Sequence, residues 1–417
     1  MADYFDTLET RDPELRERAQ LAALPTQISH AKAHAPAYAR LLADVEPREV
    51  TSRGALSRLP VVRKSDLHEL QKSSRPFGGF ATVGWGAAAT LVFASPGPIY
   101  EPEGRDADYW RLARALYAAG FRAGDLVHNC FSYHFTPGGA MVENGARALG
   151  CTVFRGGTGQ TEQQIEAMID LKPDGYVGTP SFLKIILEKA DERQLAVPSL
   201  KKALLSGEAV AASFCDALGA RGIRAQQVYA TADVGSIAYE SEARAGLIVD
   251  EGVLVEIVRA GTGDPVAAGE VGEVVVTLLS NREYPLIRFG TGDLSAIVPS
   301  SLSTASPCGR TNMRIKGWMG RADQTTKVKG MFVHPSQIAA IVARHPEIAK
   351  ARLVVDNPQG TDAMTLHVEI AEGDSSTREA IVASIREVTK LRGEVTIGAP
   401  GELANDGKVI DDVRRYD

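Results

Sequence analysis

Two rhythms of apolar and polar positions run along this chain. Helical spacing comes first, predicting helices over 12–23 and 27–42, and a turn-rich stretch follows at 59–79. The pattern then changes. Short β-rich runs at 90–94, 125–129, 152–154 and 175–179 alternate with helical runs at 106–119, 139–149, 160–171 and 180–190. That alternation is the mark of an α/β layered fold with mainly parallel strands. Strands dominate 252–298, with turns at 261–264 and 268–272, which predicts a β subdomain. After residue 320 the order is strand, helix (335–344), strands (350–356 and 363–370), helix (375–390) and strand (394–397). The expected fold is therefore α/β. A large N-terminal domain over 1–319, of layered α/β subdomains plus a β subdomain, precedes a small mobile α+β C-terminal lid domain over 320–417.

Composition narrows the function classes. A chain of 417 residues, 44% of them hydrophobic, is more than one core usually serves. The net charge of -6 is spread without a basic block or acidic tail, so neither nucleic acid nor an anionic membrane is an expected partner. The acidic N-terminus lacks the order of a secretory signal, and no apolar run reaches bilayer length; a cytoplasmic protein acting on small molecules is expected. Cys130, Cys151, Cys215 and Cys308 lie far apart with no CxxC pair, which gives neither a disulfide framework nor a complete zinc motif.

Chemistry enters with six separated segments: Tyr133-His134-Phe135-Thr136-Pro-Gly138-Gly139, Ser206-Gly207-Glu208, Tyr229-Ala-Thr231-Ala-Asp233, Tyr284-Pro-Leu-Ile-Arg288-Phe-Gly-Thr-Gly-Asp293, Gly320-Arg321-Ala-Asp323 and Asn405-Asp-Gly407-Lys408. In this order and spacing they resemble the phenylacetate-CoA ligase-like branch of the adenylate-forming (acyl-CoA synthetase) superfamily, over roughly 59–408. The resemblance implies that Asp293 binds both ribose hydroxyls of ATP. A carboxylate suits a cis-diol because it only accepts and can take one bond from each hydroxyl. Arg321 is implied near the nucleotide and Asp323 as the hinge of the lid, a role for residues that absorb a large φ/ψ change. Lys408 is implied to reach the acyl carboxylate and α-phosphate as a flexible point charge. Gly207 and Glu208 are implied at the adenine pocket, with Tyr229 against the base and Asp233 on Mg²⁺ at the family's glutamate position, while Ala232 replaces the hydroxyl the family places near the phosphates; Thr231 and Arg310 are also expected among the nucleotide contacts. Tyr133, His134, Phe135, Gly138 and Gly139 are implied to line the acyl pocket, whose aromatic wall favours an aryl acid.

Two departures qualify the resemblance. The family's phosphate loop is a Ser/Thr/Gly run ending in Lys-Pro, whereas this chain has Ser95-Pro-Gly97-Pro-Ile-Tyr-Glu101-Pro102. A like charge about 4 Å from a phosphate costs about 1 kcal/mol in water and about 4 kcal/mol at an effective dielectric of 20. Glu101 therefore does not replace the lysine as a contact. Either it points away, toward Mg²⁺ or another cation, with Ser95 and backbone amides near Gly97 holding the phosphates, or pyrophosphate is poorly handled. The second departure is zinc: some relatives carry ligands in the segments of Ser241, Ile248 and Ser306, but here only Cys308 remains, so no structural zinc is expected.

The expected activity is ATP- and Mg²⁺-dependent ligation of a carboxylic acid, an aryl acid being favoured, to coenzyme A through an acyl adenylate, by an enzyme that relatives suggest is a homodimer. Two rivals stand beside it. One keeps the adenylate but delivers it to an amine, a carrier protein or an intramolecular nucleophile; the other is a nucleotide-binding homologue without catalysis.

Overall fold

The computed structural model describes residues 3–415 apart from 87, 260, 320, 323–325, 334, 372–374 and 405–408. The chain divides into two compact units, Met1–Met319 and Gly320–Asp417.

The first unit opens with α1 (Pro13–His34), α2 (Pro36–Leu41), α3 (Arg53–Leu56), β1 (Val62–Arg63) and α4 (Lys64–Ser73). Asp12 caps α1, accepting from the N–H groups of Glu14 and Leu15 at 2.9 and 3.0 Å. The break expected after residue 23 does not occur: α1 runs through Pro25 and stops at Ala35, which precedes Pro36 and is extended. An interior proline costs about 3 kcal/mol. Leu24 and Ile28, fully buried on either side of it, offset that at about 1.5–3 kcal/mol each.

Next come β2 (Leu91–Ser95) and β3 (Ile99–Glu103), an antiparallel pair in register from Leu91 opposite Glu103 to Ser95 opposite Ile99. This corrects the expectation of a loop over 95–102. Only Pro96, Gly97 and Pro98 form the turn, and Glu101 lies within a strand.

The alternating region then follows as α5 (Leu112–Ala118), β4 (Leu126–Asn129), α6 (Gly138–Ala148), β5 (Thr152–Arg155), α7 (Thr161–Leu171), β6 (Gly175–Gly178), α8 (Pro180–Glu192), β7 (Lys202–Leu205), α9 (Ala212–Ala220) and β8 (Arg224–Thr231). Helix α5 starts later than its apolar pattern suggests. Arg111 is left-handed at φ 60°, and the Asp108 carboxylate takes the N–H groups of Leu112 and Ala113 at 2.9 and 3.2 Å, defining the first turn.

The remaining strands of this unit are β9 (Gly235–Tyr239), β10 (Leu247–Val249), β11 (Val253–Val258), β12 (Gly272–Leu278), β13 (Phe289–Ser295) and β14 (Arg314–Ile315). An eight-stranded sheet has the order β14-β10-β9-β8-β7-β6-β4-β5, and its β5-β4-β6-β7-β8 portion is parallel. From β4 the chain crosses outward to β5 and then returns past β4 to β6. The carboxyl ends of β4 and β6 consequently flank a switch point, where the following loops diverge and leave a crevice.

A second sheet, β1-β13-β12-β11, forms the β subdomain, with Val253, Val274, Val276 and Phe289 fully buried. Its parallel edge is short: Val62 pairs with Phe289 and Arg63 with Gly290. Arg288, 1% exposed, secures that edge. Its guanidinium donates to both Glu256 oxygens at 3.0 and 3.1 Å and to the carbonyls of Ser57, Leu59 and Gly263, while its own carbonyl accepts from Val62.

The second unit contains β15 (Thr326–Val328), β16 (Met331–Val333), α10 (Pro335–Arg344), β17 (Lys350–Asp356), β18 (Ala363–Glu369), α11 (Ser375–Thr389), β19 (Glu394–Gly398) and β20 (Ile410–Asp412). Its main sheet has the order β19-β18-β17-β20, and Leu353, Val355, Leu366, Ile381 and Ile385 build its own core. No helix among the described residues is long and apolar enough to cross a membrane. All four cysteines are free and buried.

Replacing Arg288 by Met strands the Glu256 charge and three backbone carbonyls. We expect a loss of about 3–5 kcal/mol, the usual cost of breaking a buried pair from one side. Urea denaturation followed by tryptophan fluorescence measures it, and a change under about 1 kcal/mol would show that Arg288 does not hold the subdomain.

Candidate active site

The carboxyl ends of the parallel strands deliver one functional segment after another. At the end of β4, Asn129 is fully buried, and its side-chain amide donates to Tyr133 Oη and to the Gly139 carbonyl, both at 2.8 Å, while its Oδ1 accepts from the Phe131 N–H at 3.1 Å. One residue thereby fixes both arms of the loop 131–139. Gly139 is required there: a Cβ would lie 2.8 Å from the Ser132 carbonyl and 2.9 Å from the Tyr133 ring. Burial, with Glu143 nearby, raises the Tyr133 hydroxyl's pKa, which keeps it protonated.

Further along the row, β6 ends at Thr179, which accepts from the Phe182 N–H at the head of α8. β7 ends at Ser206-Gly207-Glu208. Glu208 closes onto Ser181, accepting from its hydroxyl at 2.9 Å and from its N–H at 3.2 Å. At Gly207, left-handed at φ 83°, the position of a Cβ falls 3.5 Å from Thr179 and 3.6 Å from the Phe131 ring. Gly207, Gly138 and Phe131 are thus brought together at the switch-point crevice. His134 and Phe135 are not drawn into a closed wall. Phe135 is 81% exposed, and it is its carbonyl that is engaged, by the Ala94 N–H of β2 at 2.8 Å.

The next strand, β8, carries Tyr229. Its hydroxyl donates to Asp293 Oδ2 at 2.9 Å and lies 3.2 Å from Thr291 Oγ1; both partners stand on β13. Trp318 Nε1 donates to the other Asp293 oxygen at 3.1 Å. The carboxylate is oriented through both of its oxygens. Trp318 and Asn129 were not anticipated. Asn129 bonds within its own loop, to Phe131, Tyr133 and Gly139, whereas Trp318 reaches Asp293 from 25 positions away.

Past Tyr229, Thr231 accepts from the Val234 N–H at 3.3 Å and shapes the turn that carries Asp233. The Asp233 side chain is fully buried. Its Oδ2 meets Lys64 Nζ at 2.5 Å, and its Oδ1 has no hydrogen-bond partner. Close by, Glu101 is fully buried, with Ser95 Oγ donating to its Oε1 at 2.5 Å and no partner for Oε2. Burial first, and the Asp233 charge second, push the Glu101 carboxyl well above its ordinary range, with Lys64 and Ser95 opposing. Glu101 therefore points inward toward a cationic neighbour, one of the two alternatives its sequence position left open.

Some sequence expectations need correction. Ser95 is 3% exposed and its hydroxyl is committed to Glu101, so it does not present that group to a phosphate. Arg310, expected at the nucleotide, is 4% exposed and bound by Glu9 through Nε at 2.9 Å and Nη2 at 3.2 Å, with Tyr4 and Tyr239 against its guanidinium. It serves the folded N-terminus. Burial alone would raise the Cys308 thiol's pKa, but bonds with Ser241, Ser306 and Arg310 outweigh that and lower it. Arg321 belongs to the second unit, where it is half-buried. Asp323 and Lys408 lie outside the described residues.

The sequence profile of the AMP-binding enzyme family matches residues 107–278, and that of the AMP-binding enzyme C-terminal domain matches 330–413. The chain is 32% identical over 384 residues to the phenylacetate-coenzyme A ligase of Aromatoleum evansii, covering 88% of this chain and 84% of that one. Against the phenylacetate-coenzyme A ligase of Thermus thermophilus it is 30% identical over 389 residues, with the same coverage of each. Among solved structures, 2-hydroxyisobutyryl-CoA ligase in complex with 2-HIB-AMP and CoA aligns with a TM-score of 0.79 at 26% identity, across 98% of this chain and 92% of that chain.

The raised Glu101 pKa has a consequence for stability. A carboxyl that is harder to ionise when folded supports the fold fully at pH below its unfolded value, and that support is lost as pH rises through the folded value. Thermal melts from pH 5 to 9 should show a steeper decline for the native chain than for Glu101→Gln, which cannot ionise. Parallel curves for the two proteins would refute a buried neutral carboxyl here.

Proposed function

The chain belongs to the phenylacetate-CoA ligase-like branch of the AMP-binding enzymes, and from that premise we propose that it is an ATP-dependent carboxylate-CoA ligase. A substrate carboxylate oxygen attacks the α-phosphorus of ATP, the bond to pyrophosphate breaks, and an acyl adenylate forms. The thiol of coenzyme A then loses its proton, its sulfur attacks the acyl carbon, and AMP departs. Asp293 takes the ribose diol, with Tyr229 and Trp318 holding its two oxygens in place. The acid enters the crevice at Phe131, Gly138 and Gly207; with Tyr133 packed beside it, that surface favours an aryl acid.

The observation that carries this proposal is the row of adjacent elements. Asp293 is bonded to Tyr229 on β8, and the Ser206 hydroxyl donates to the Val228 carbonyl of β8 at 2.7 Å. Gly207 in turn abuts Thr179 and Phe131. A diol-binding carboxylate is connected without interruption to an apolar crevice.

Magnesium fits the residues present. Asp233 Oδ1 is a buried carboxylate oxygen without a hydrogen-bond partner, and a hard cation takes such an oxygen together with phosphates and water. No cluster of three or more metal-binding side chains exists among the described residues, so Asp233 would hold Mg²⁺ jointly with ATP. The ion would neutralise part of the polyphosphate charge. Asp323 as hinge and Lys408 as the adenylation lysine complete the proposal from the resemblance.

ATP–pyrophosphate exchange with a panel of aryl and short aliphatic acids tests it. Acid-dependent exchange is expected; bound ATP without exchange would favour a non-catalytic homologue. Coenzyme A consumption then separates a thioester product from an amine or carrier-protein acceptor. Asp293→Ala should weaken ATP binding at least about tenfold, as loss of hydrogen bonds to a charged group implies, and calorimetry with unchanged affinity would contradict the assignment. Lys408→Ala should suppress adenylation by about 10²–10³, the scale for losing one transition-state contact. Thioester formation from supplied acyl adenylate should persist, and equal loss in both halves would remove Lys408 from its role.

A further inference from the structure

A polyphosphate site needs fixed positive charge, and the β2–β3 hairpin provides none. Its turn is Pro96-Gly97-Pro98, so of these three residues only Gly97 keeps an N–H. Its one ionisable group near the turn, Glu101, is acidic and faces inward, and the Ser95 hydroxyl is bound to it. A compensating cation must come from elsewhere in the unit if ATP is to be held there.

Lys64 is placed to be that cation. It opens α4 immediately after β1, and β1 is in register with β13, Arg63 opposite Gly290. One residue further along each segment come Lys64, now in α4, and Thr291, which shares the Tyr229 hydroxyl with Asp293. Lys64 thereby follows directly on the strand paired with the one that carries the diol-binding carboxylate. Its ammonium contacts Asp233 at 2.5 Å, at the end of β8. Asp233 has a fully buried side chain, whereas the Lys64 side chain remains 19% exposed. The cation of the pair is thus the more accessible member and the anion the more deeply buried.

Resting on the ligase proposal above, we infer that Lys64 is a further active-site residue of this chain, supplying to the β- and γ-phosphates of ATP the positive charge that the β2–β3 hairpin lacks, with Asp233 as its positioning partner. Asp233 has two oxygens. One directs Lys64, and the other, without a hydrogen-bond partner, is left for Mg²⁺. A buried anion beneath an ammonium also limits where that ammonium rests, so little rotamer freedom is lost when phosphate arrives. An ammonium is a compact point charge and suits a phosphate cluster whose geometry changes as pyrophosphate leaves.

The test compares the native enzyme with Lys64→Gln, which retains a donor for Asp233 but no charge, and with Lys64→Arg. Three readouts are needed: ATP–pyrophosphate exchange, calorimetric titration with inorganic pyrophosphate, and thioester formation from supplied acyl adenylate. We expect Lys64→Gln to lower exchange by about 10²-fold and to weaken pyrophosphate binding, while thioester formation stays near the native rate and Lys64→Arg recovers part of the exchange. Native exchange and pyrophosphate affinity in Lys64→Gln would overturn the inference and leave the ligase proposal standing. Equal loss in all three readouts would also overturn it, marking Lys64 as a structural partner of Asp233. Absence of exchange in the native enzyme itself would instead sink the ligase proposal, and this inference with it.

Discussion

The buried guanidinium of Arg288 is the constraint on which the site depends. It joins three stretches of chain: the turn before β1, through the carbonyls of Ser57 and Leu59; the β11 strand, through Glu256; and the turn at Gly263. A planar fork with five donors can satisfy five acceptor atoms at once, which an ammonium with three donors does not. Desolvating such a charge is costly unless every acceptor is in place. The arrangement therefore specifies a single position for β1 against β13, and both Lys64 and Asp293 inherit their places from it.

From that edge the chemistry is assembled outward in two directions. Tyr229 and Trp318 fix Asp293 from opposite sides, and β8 passes the geometry on to β7 and then to the crevice at β4 and β6. The crevice itself is a topological product, because the loops that follow β4 and β6 leave toward opposite faces of the sheet. Asn129 converts that divergence into a defined wall by binding both arms of the loop 131–139.

Charge is handled differently around Glu101 and Asp233. Two buried carboxyl groups, Glu101 and Asp233, lie near one ammonium, which pairs with Asp233, while burial and the Asp233 charge push the Glu101 carboxyl's pKa upward, toward its neutral form. The β2–β3 hairpin and the Lys64–Asp233 pair belong together physically: the hairpin turns Glu101 inward beside Asp233, and Lys64 lies close enough to both to oppose the rise in the Glu101 pKa. A site organised this way is stiffer than one that wraps its ligand.

Much of this was legible in linear order. The alternation of strands and helices, the β subdomain and the small α+β unit follow from local periodicity, because side-chain burial repeats every two or every 3.6 residues. The motif segments around Asp293, Gly207 and Asp233 also show in sequence, since each needs several special residues side by side. Tertiary structure alone decided the rest. It carried α1 through Pro25, folded 95–102 into a hairpin, took Arg310 and the Ser95 hydroxyl away from the nucleotide, and brought Lys64 to Asp233 across 169 positions. Single charged side chains have no periodicity to betray them, and their partners are chosen by strand pairing and burial between segments far apart in the chain.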